Sequence, residues 1–153
     1  MAYSLALFLH SYLRYIVLAT GLVVIVRSAG GLAGKRPFTA ADKRAQVAFL
    51  AVLDLQLTLG LALYAGLSPI TRAFFADPKA GMHDHALRFF GVEHLTAMVL
   101  AVAAAHVGRA RSKKAPTDEH KHRRALVPMV IWLLLVLVAI PWPGMPYGRP
   151  LFR

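Results

Sequence analysis

Long apolar runs alternate with short charged segments along this chain. Four runs stand out, over roughly 3–26, 46–66, 88–107 and 126–142. An α-helix rises 1.5 Å per residue, so a run of about 17–25 residues crosses a hydrocarbon core ~30 Å thick. The pattern therefore predicts four transmembrane helices in one all-α domain over residues 1–153, a four-helix bundle. Pro128 is expected in the first turn of the fourth helix, where its missing N–H costs little. The opening residues MAYS carry no basic stretch, and the first run is too long for a signal-peptide core, so it reads as a retained helix. Between the second and third runs lies LSPITRAFFADPKAGMHDHALR. Its residues 67–75 suit a short interfacial helix, with Phe74 and Phe75 at headgroup level. The tail PWPGMPYGRPLFR is expected to fold across one mouth of the bundle.

Composition agrees with the pattern. Hydrophobic residues make up 58% of the 153, and mean hydropathy is +0.54. Soluble domains are nearer half apolar, without such clustering. The net charge of +11 raises nucleic acid as a partner, but the positions of the charges exclude it. Twelve Lys and Arg residues flank the runs in the first and third connections, against five in the second connection and tail. This is the positive-inside bias, and it orients both termini outward (N-out, C-out). In a bacterium that means the inner membrane, with periplasmic termini and the lipid bilayer as first partner. Cysteine is absent, which excludes disulfides, thiolate metal sites, iron–sulfur clusters and c-type haem attachment.

Six ionisable residues fall inside the runs: His10, Arg14, Asp54, Glu93, His94 and His106. Ionisable side chains in a membrane are expensive and mark function by default. His10 and His94 each lie about 9–10 Å below the same end of the bundle, counted along their helices. Two histidines at one depth can supply both axial ligands of one haem b. They can equally serve as hydrogen-bonding residues between helices. Gly60 is expected at the same level, and Gly91 one turn from His94; either can let a flat macrocycle approach the backbone. Arg72, Lys79, Arg88 and Arg149 near that end can hold propionates.

Arg14, one turn deeper, is expected to pair with Asp54 and neutralise both charges. Glu93 points about 100° from His94, toward a neighbouring helix or a proton path. Gln56 is expected to hydrogen-bond across the bundle. His106 sits near the basic end and reads as interfacial. His83, Asp84 and His85 form an HDH triplet that suits zinc or copper, or a solvated loop. His120 and His122 lie in a charge run and read as a solvated face. Tyr3, Tyr12, Phe89, Phe90, Trp142 and Tyr147 fit interfacial belts.

Several segments taken together carry a resemblance: LHSYLRYIVL, LDLQLTLGLALY followed by SP, LRFFGVEHLTAMVLA with its basic end HVGRARSKK, and the closing IPWP. Over most of its length the chain resembles small bacterial four-helix membrane proteins catalogued as cytochrome b-like. The resemblance implies a haem b, with His10 and His94 as the matching histidines. It implies single-electron transfer, linked to a quinone pool or within a larger respiratory assembly or homo-oligomer. The four-histidine, two-haem arrangement of better-known membrane cytochromes cannot be drawn here. A cofactor-free accessory subunit and a small proton-coupled transporter are the competing expectations.

Overall fold

The computed structural model describes residues 1–152; Arg153, counted above among the tail's charges, lies outside them. The four long helices are α1 (Ala2–Ala33), α2 (Ala40–Ala62), α6 (His94–Lys113) and α7 (Asp118–Ala139). Three short helices connect α2 to α6: α3 (Pro69–Ala76), α4 (Pro78–Gly81) and α5 (His85–Arg88). A π turn over Leu63–Leu67 prolongs α2, and a second over Phe89–Glu93 leads from α5 into α6. Four helical stretches are long and apolar enough to cross a membrane, Ala2–Ala33, Ala40–Leu67, His85–Lys113 and Asp118–Ala139. Among the described residues there is no β-strand.

The helices form a ring in which α1 packs on α2 and α7, and α6 packs on α7 and α2. α1 and α6 are therefore diagonal partners that run in the same direction. Side chains of a helix lean toward its N-terminus. Those of α1 and α6 lean toward the end that carries both termini, and those of α2 and α7 lean toward the basic end.

The helices overrun the apolar runs at the basic end, because charged residues outside a bilayer remain good helix formers. α7 starts at Asp118 rather than near 126, so Pro128 lies in its interior and not in the first turn. Proline there loses one backbone bond, and Gly108 of α6 accommodates the ring: a Cβ at Gly108 would stand 2.8 Å from Pro128 Cβ. α7 also ends at Ala139, which leaves Trp142 in the tail. The third connection shrinks to the residues between Lys113 and Asp118. Thr117 starts α7 by accepting a bond from the His120 N–H at 3.3 Å.

The core is centred on Trp132, which is fully buried, and Phe49, whose rings meet edge-on with centroids 4.8 Å apart. Gly21 of α1 lies directly against the Trp132 ring. At the basic end, Asp42 is 4% exposed and accepts bonds from the Thr39 N–H (2.8 Å), the Thr39 hydroxyl (2.7 Å) and Arg27 Nε (3.0 Å). His122 corrects the expectation of a solvated face, because it is fully buried. Its ring sits against Gly31, meets Phe38 edge-on, and donates from Nε2 to the Arg36 carbonyl at 3.1 Å. Its charged neighbours mark the surface of α7, while His122 itself lies on the face toward α1.

Gly21 and Gly30 provide a matched test of this packing. Gly30 has nothing within 4 Å of an added Cβ. Gly30→Ala should leave thermal unfolding in detergent unchanged or raise it slightly, because alanine favours helix by up to about 1 kcal/mol. Gly21→Ala should lower it, by an overpacking cost of about 1–3 kcal/mol. Circular dichroism melts of the two variants check this.

Candidate functional site

A cavity of about 160 Å³ lies inside the bundle at the end where the termini meet. His10 projects into it from α1, and His94 from the start of α6. Their ring centroids are 6.4 Å apart, with planes inclined at 70°. The two histidines meet because they belong to the parallel diagonal pair, at equal depth and with the same lean. Val17, Leu53, Leu63, Met98, Val136 and Ile140 supply apolar wall.

Each imidazole is fixed from behind. His94 Nδ1–H donates to the Ala139 carbonyl at 2.8 Å, since a carbonyl can only accept. That carbonyl is available because α7 ends there. The bond sets the tautomer and leaves His94 Nε2 as a lone-pair donor. Phe89 and Phe90 flank the same ring, at 5.7 and 6.2 Å between centroids. Gln56 of α2 crosses the bundle as expected. Its amide donates to the His10 carbonyl at 2.9 Å and approaches His10 Nε2 at 3.4 Å. Two buried polar atoms here have no partner, His10 Nδ1 and Gln56 Oε1. His122 Nδ1 and Trp132 Nε1 are unpartnered elsewhere in the bundle, but these two border a cavity, where a bound group or water can satisfy them.

Gly60 does lie at this level, but the room it leaves is taken by His10 itself: a Cβ would stand 3.1 Å from His10 Cε1. Gly91 faces away from the cavity. Phe74 of α3 packs onto it, and a Cβ would come within 2.7 Å of Phe74 Cδ1. The π turn that contains Gly91 rotates it away from the face of His94, which an uninterrupted α-helix would have kept in line. Tyr64, in the other π turn, donates to the Gly91 carbonyl at 2.8 Å. The two π turns thus brace one another beside the site, and nothing in the residue pattern announced them.

The expected Arg14–Asp54 pair does not form. Arg14 Nη2 donates to the Leu151 carbonyl at 2.5 Å and lies 3.0 Å from the Tyr15 hydroxyl, which itself donates to Leu151 at 2.6 Å. Asp54 Oδ1 instead accepts from His106 Nε2 at 2.8 Å. Helix direction explains the exchange. Arg14 leans toward the termini and Asp54 toward the basic end, so equal depth does not bring them together. His106, on the parallel partner of α1, leans back toward Asp54. Glu93 is not part of that charge pair either: it pairs with Arg88 at 2.7 Å on the exposed rim.

The tail folds across the mouth, as expected. Tyr147 stacks on Phe89 at 3.8 Å, and Phe152 stacks on Tyr15 at 5.6 Å. Arg149 lies over the Phe90 ring and, with Arg14, borders the cavity. The short helix near 67–75 is α3, with Phe74 buried and Phe75 exposed. In the HDH triplet the Asp84 carboxylate caps α5 by accepting from the Leu87 N–H at 2.8 Å. Among the described residues, no three His, Asp or Glu side chains converge as a metal-ion set.

Comparisons with protein-family models, with curated proteins and with solved structures return no match to this chain.

The exchange of partners has a measurable consequence. Arg14→Met and Asp54→Asn should be additive in unfolding free energy, within about 0.3–0.5 kcal/mol. Asp54→Asn and His106→Gln, as direct partners, should couple by about 0.5 kcal/mol or more. Two double-mutant cycles in one detergent measure both.

Proposed function

We propose that this protein is a membrane cytochrome that carries one haem b between His10 and His94 and passes single electrons. The observation that carries this reading is the facing pair of imidazoles across an internal cavity. Two imidazoles that share one metal, with bonds of about 2.0–2.1 Å each, have ring centres roughly 6 Å apart. The 6.4 Å separation matches that requirement. The single-sided bonding of His94 leaves its Nε2 lone pair for such a metal, and His10 offers its own Nε2 lone pair once the 3.4 Å contact with the Gln56 amide gives way.

A bound haem b supplies a one-electron couple. The chain's own residues do the rest. Ala139 orients His94 and raises its basicity through Nδ1–H. Gln56 holds the His10 segment of α1 at its carbonyl. The apolar walls keep water from the ligands. Arg14 and Arg149 offer guanidiniums to carboxylates at the mouth, in place of their present carbonyl and ring partners.

On this reading the mouth faces the outer side of a bacterial inner membrane, the orientation that the positive-inside bias favours. Electrons would pass between a quinol pool and an outward acceptor, alone or within a respiratory assembly. A reduced-minus-oxidised absorption spectrum of protein purified in mild detergent tests the reading. The parent should give a low-spin b-type spectrum, and His10→Ala and His94→Ala should each abolish it. A colourless parent, after expression with added haem, would sink the electron-transfer reading and leave an accessory subunit in its place.

A further inference from the structure

The Asp54–His106 pair is out of place for a structural ion pair. It joins α2 to α6 at 2.8 Å, yet the two side chains are 51% and 47% exposed. Both residues lie within helices long and apolar enough to span a bilayer, and their surroundings on the outer surface are apolar: Leu55, Val99, Val107 and Val47 are all exposed. The pair therefore faces lipid. Burying ionisable groups inside the bundle, or capping them at an end, would avoid that cost. The bond also uses only half of what the two groups offer. Among the described residues Asp54 Oδ2 and His106 Nδ1 have no partner, so one strong acceptor and one further ring nitrogen remain open toward the membrane.

A membrane-soluble molecule that complements this pair needs a hydroxyl to donate to Asp54 Oδ2, a hydroxyl oxygen that can bond His106 Nδ1 as donor or acceptor, and an apolar body, since the ring's Nε2–H is already given to Asp54. A quinol headgroup has these features. On the inner side of α2, Leu53, next to Asp54, and Gln56, two residues on, both border the His10–His94 cavity.

We infer that Asp54 and His106 form the docking site of a quinol headgroup that enters from the bilayer against the α2–α6 seam. The proposal supplies the lipid-soluble electron partner that the cytochrome reading requires, and rests on that reading for its purpose but not for its test.

Protein in lipid nanodiscs is photolabelled with a photoreactive ubiquinol analogue carrying a short alkyl tail, and the labelled peptides are mapped by mass spectrometry. Label should fall on α2 or α6 near Asp54 and His106. Binding should weaken about tenfold or more in both Asp54→Asn and His106→Gln, the loss expected for one charge-assisted hydrogen bond. Both side chains are half exposed, so the core is untouched, and a circular dichroism melt confirms folding. Label on the tail or inside the His10–His94 cavity overturns the inference, as does binding that neither substitution weakens. Conversion of a dimer to a monomer by the same substitutions also overturns it, and assigns the pair to an interface between copies. The labelling needs no haem. A colourless protein that labels at this pair loses only the cytochrome reading, and a coloured one that does not label there loses only the quinol site.

Discussion

The structure depends on one constraint: in hydrocarbon, a polar group must find its partner within the protein. The bundle meets this differently along its length. At the basic end Asp42 is bonded by Thr39 and Arg27, and His122 is locked on the Arg36 carbonyl. The middle is nearly dry, built on Trp132 and Phe49. At the other end, satisfaction is incomplete. His10 Nδ1 and Gln56 Oε1 are orphaned in a cavity that also contains a half-used imidazole. His122 Nδ1 and Trp132 Nε1 are also unpartnered, but each is packed into the bundle, whereas the two at this end border open space that a bound group or water can fill.

The four spans were legible because hydropathy and length leave few alternatives for a chain in lipid. Their ends were not, because helices continue past the bilayer wherever the residues allow it, as α7 does from Asp118. The pairing of His10 with His94 was also legible. Depth is a count along each helix, and these two helices run the same way. Depth alone failed for Arg14 and Asp54, which sit on antiparallel neighbours whose side chains lean apart. Including helix direction from the start would have replaced that pair with Asp54–His106. Gly91 was missed for a different reason. A π turn changes angular phase without changing composition, so a face drawn with 3.6 residues per turn points the wrong way beyond it.

The two π turns also bear on how the site is made. Each leaves the regular backbone ladder by one residue, and both occur at the mouth, one directly before His94. The wider turn before α6 sets the rotation of His94 relative to Phe89 and Phe90. The Tyr64 bond to the Gly91 carbonyl keeps that rotation from relaxing. Irregular backbone at membrane depth is tolerated where it is buried in protein or lines a cavity; here Leu63, Phe89 and Gly91 are buried and Leu63, Tyr64 and Phe90 line the cavity.

The tail completes the asymmetry. α7 stops at Ala139, and its terminal carbonyl passes to His94 rather than to a further turn of helix. The chain then crosses the mouth and presents the Leu151 carbonyl to Arg14 and Tyr15. Among the described residues Arg14 meets a carbonyl and a hydroxyl but no carboxylate. Arg149 likewise meets the Gly148 carbonyl and the Phe90 ring. Guanidiniums that border an apolar cavity favour an anionic occupant over a neutral one. A water cluster would satisfy His10 Nδ1 and Gln56 Oε1 but leave that positive charge unmatched. On the proposed reading, a flat apolar ligand with acidic groups at its rim would use the histidines and the arginines together, as parts of a single site.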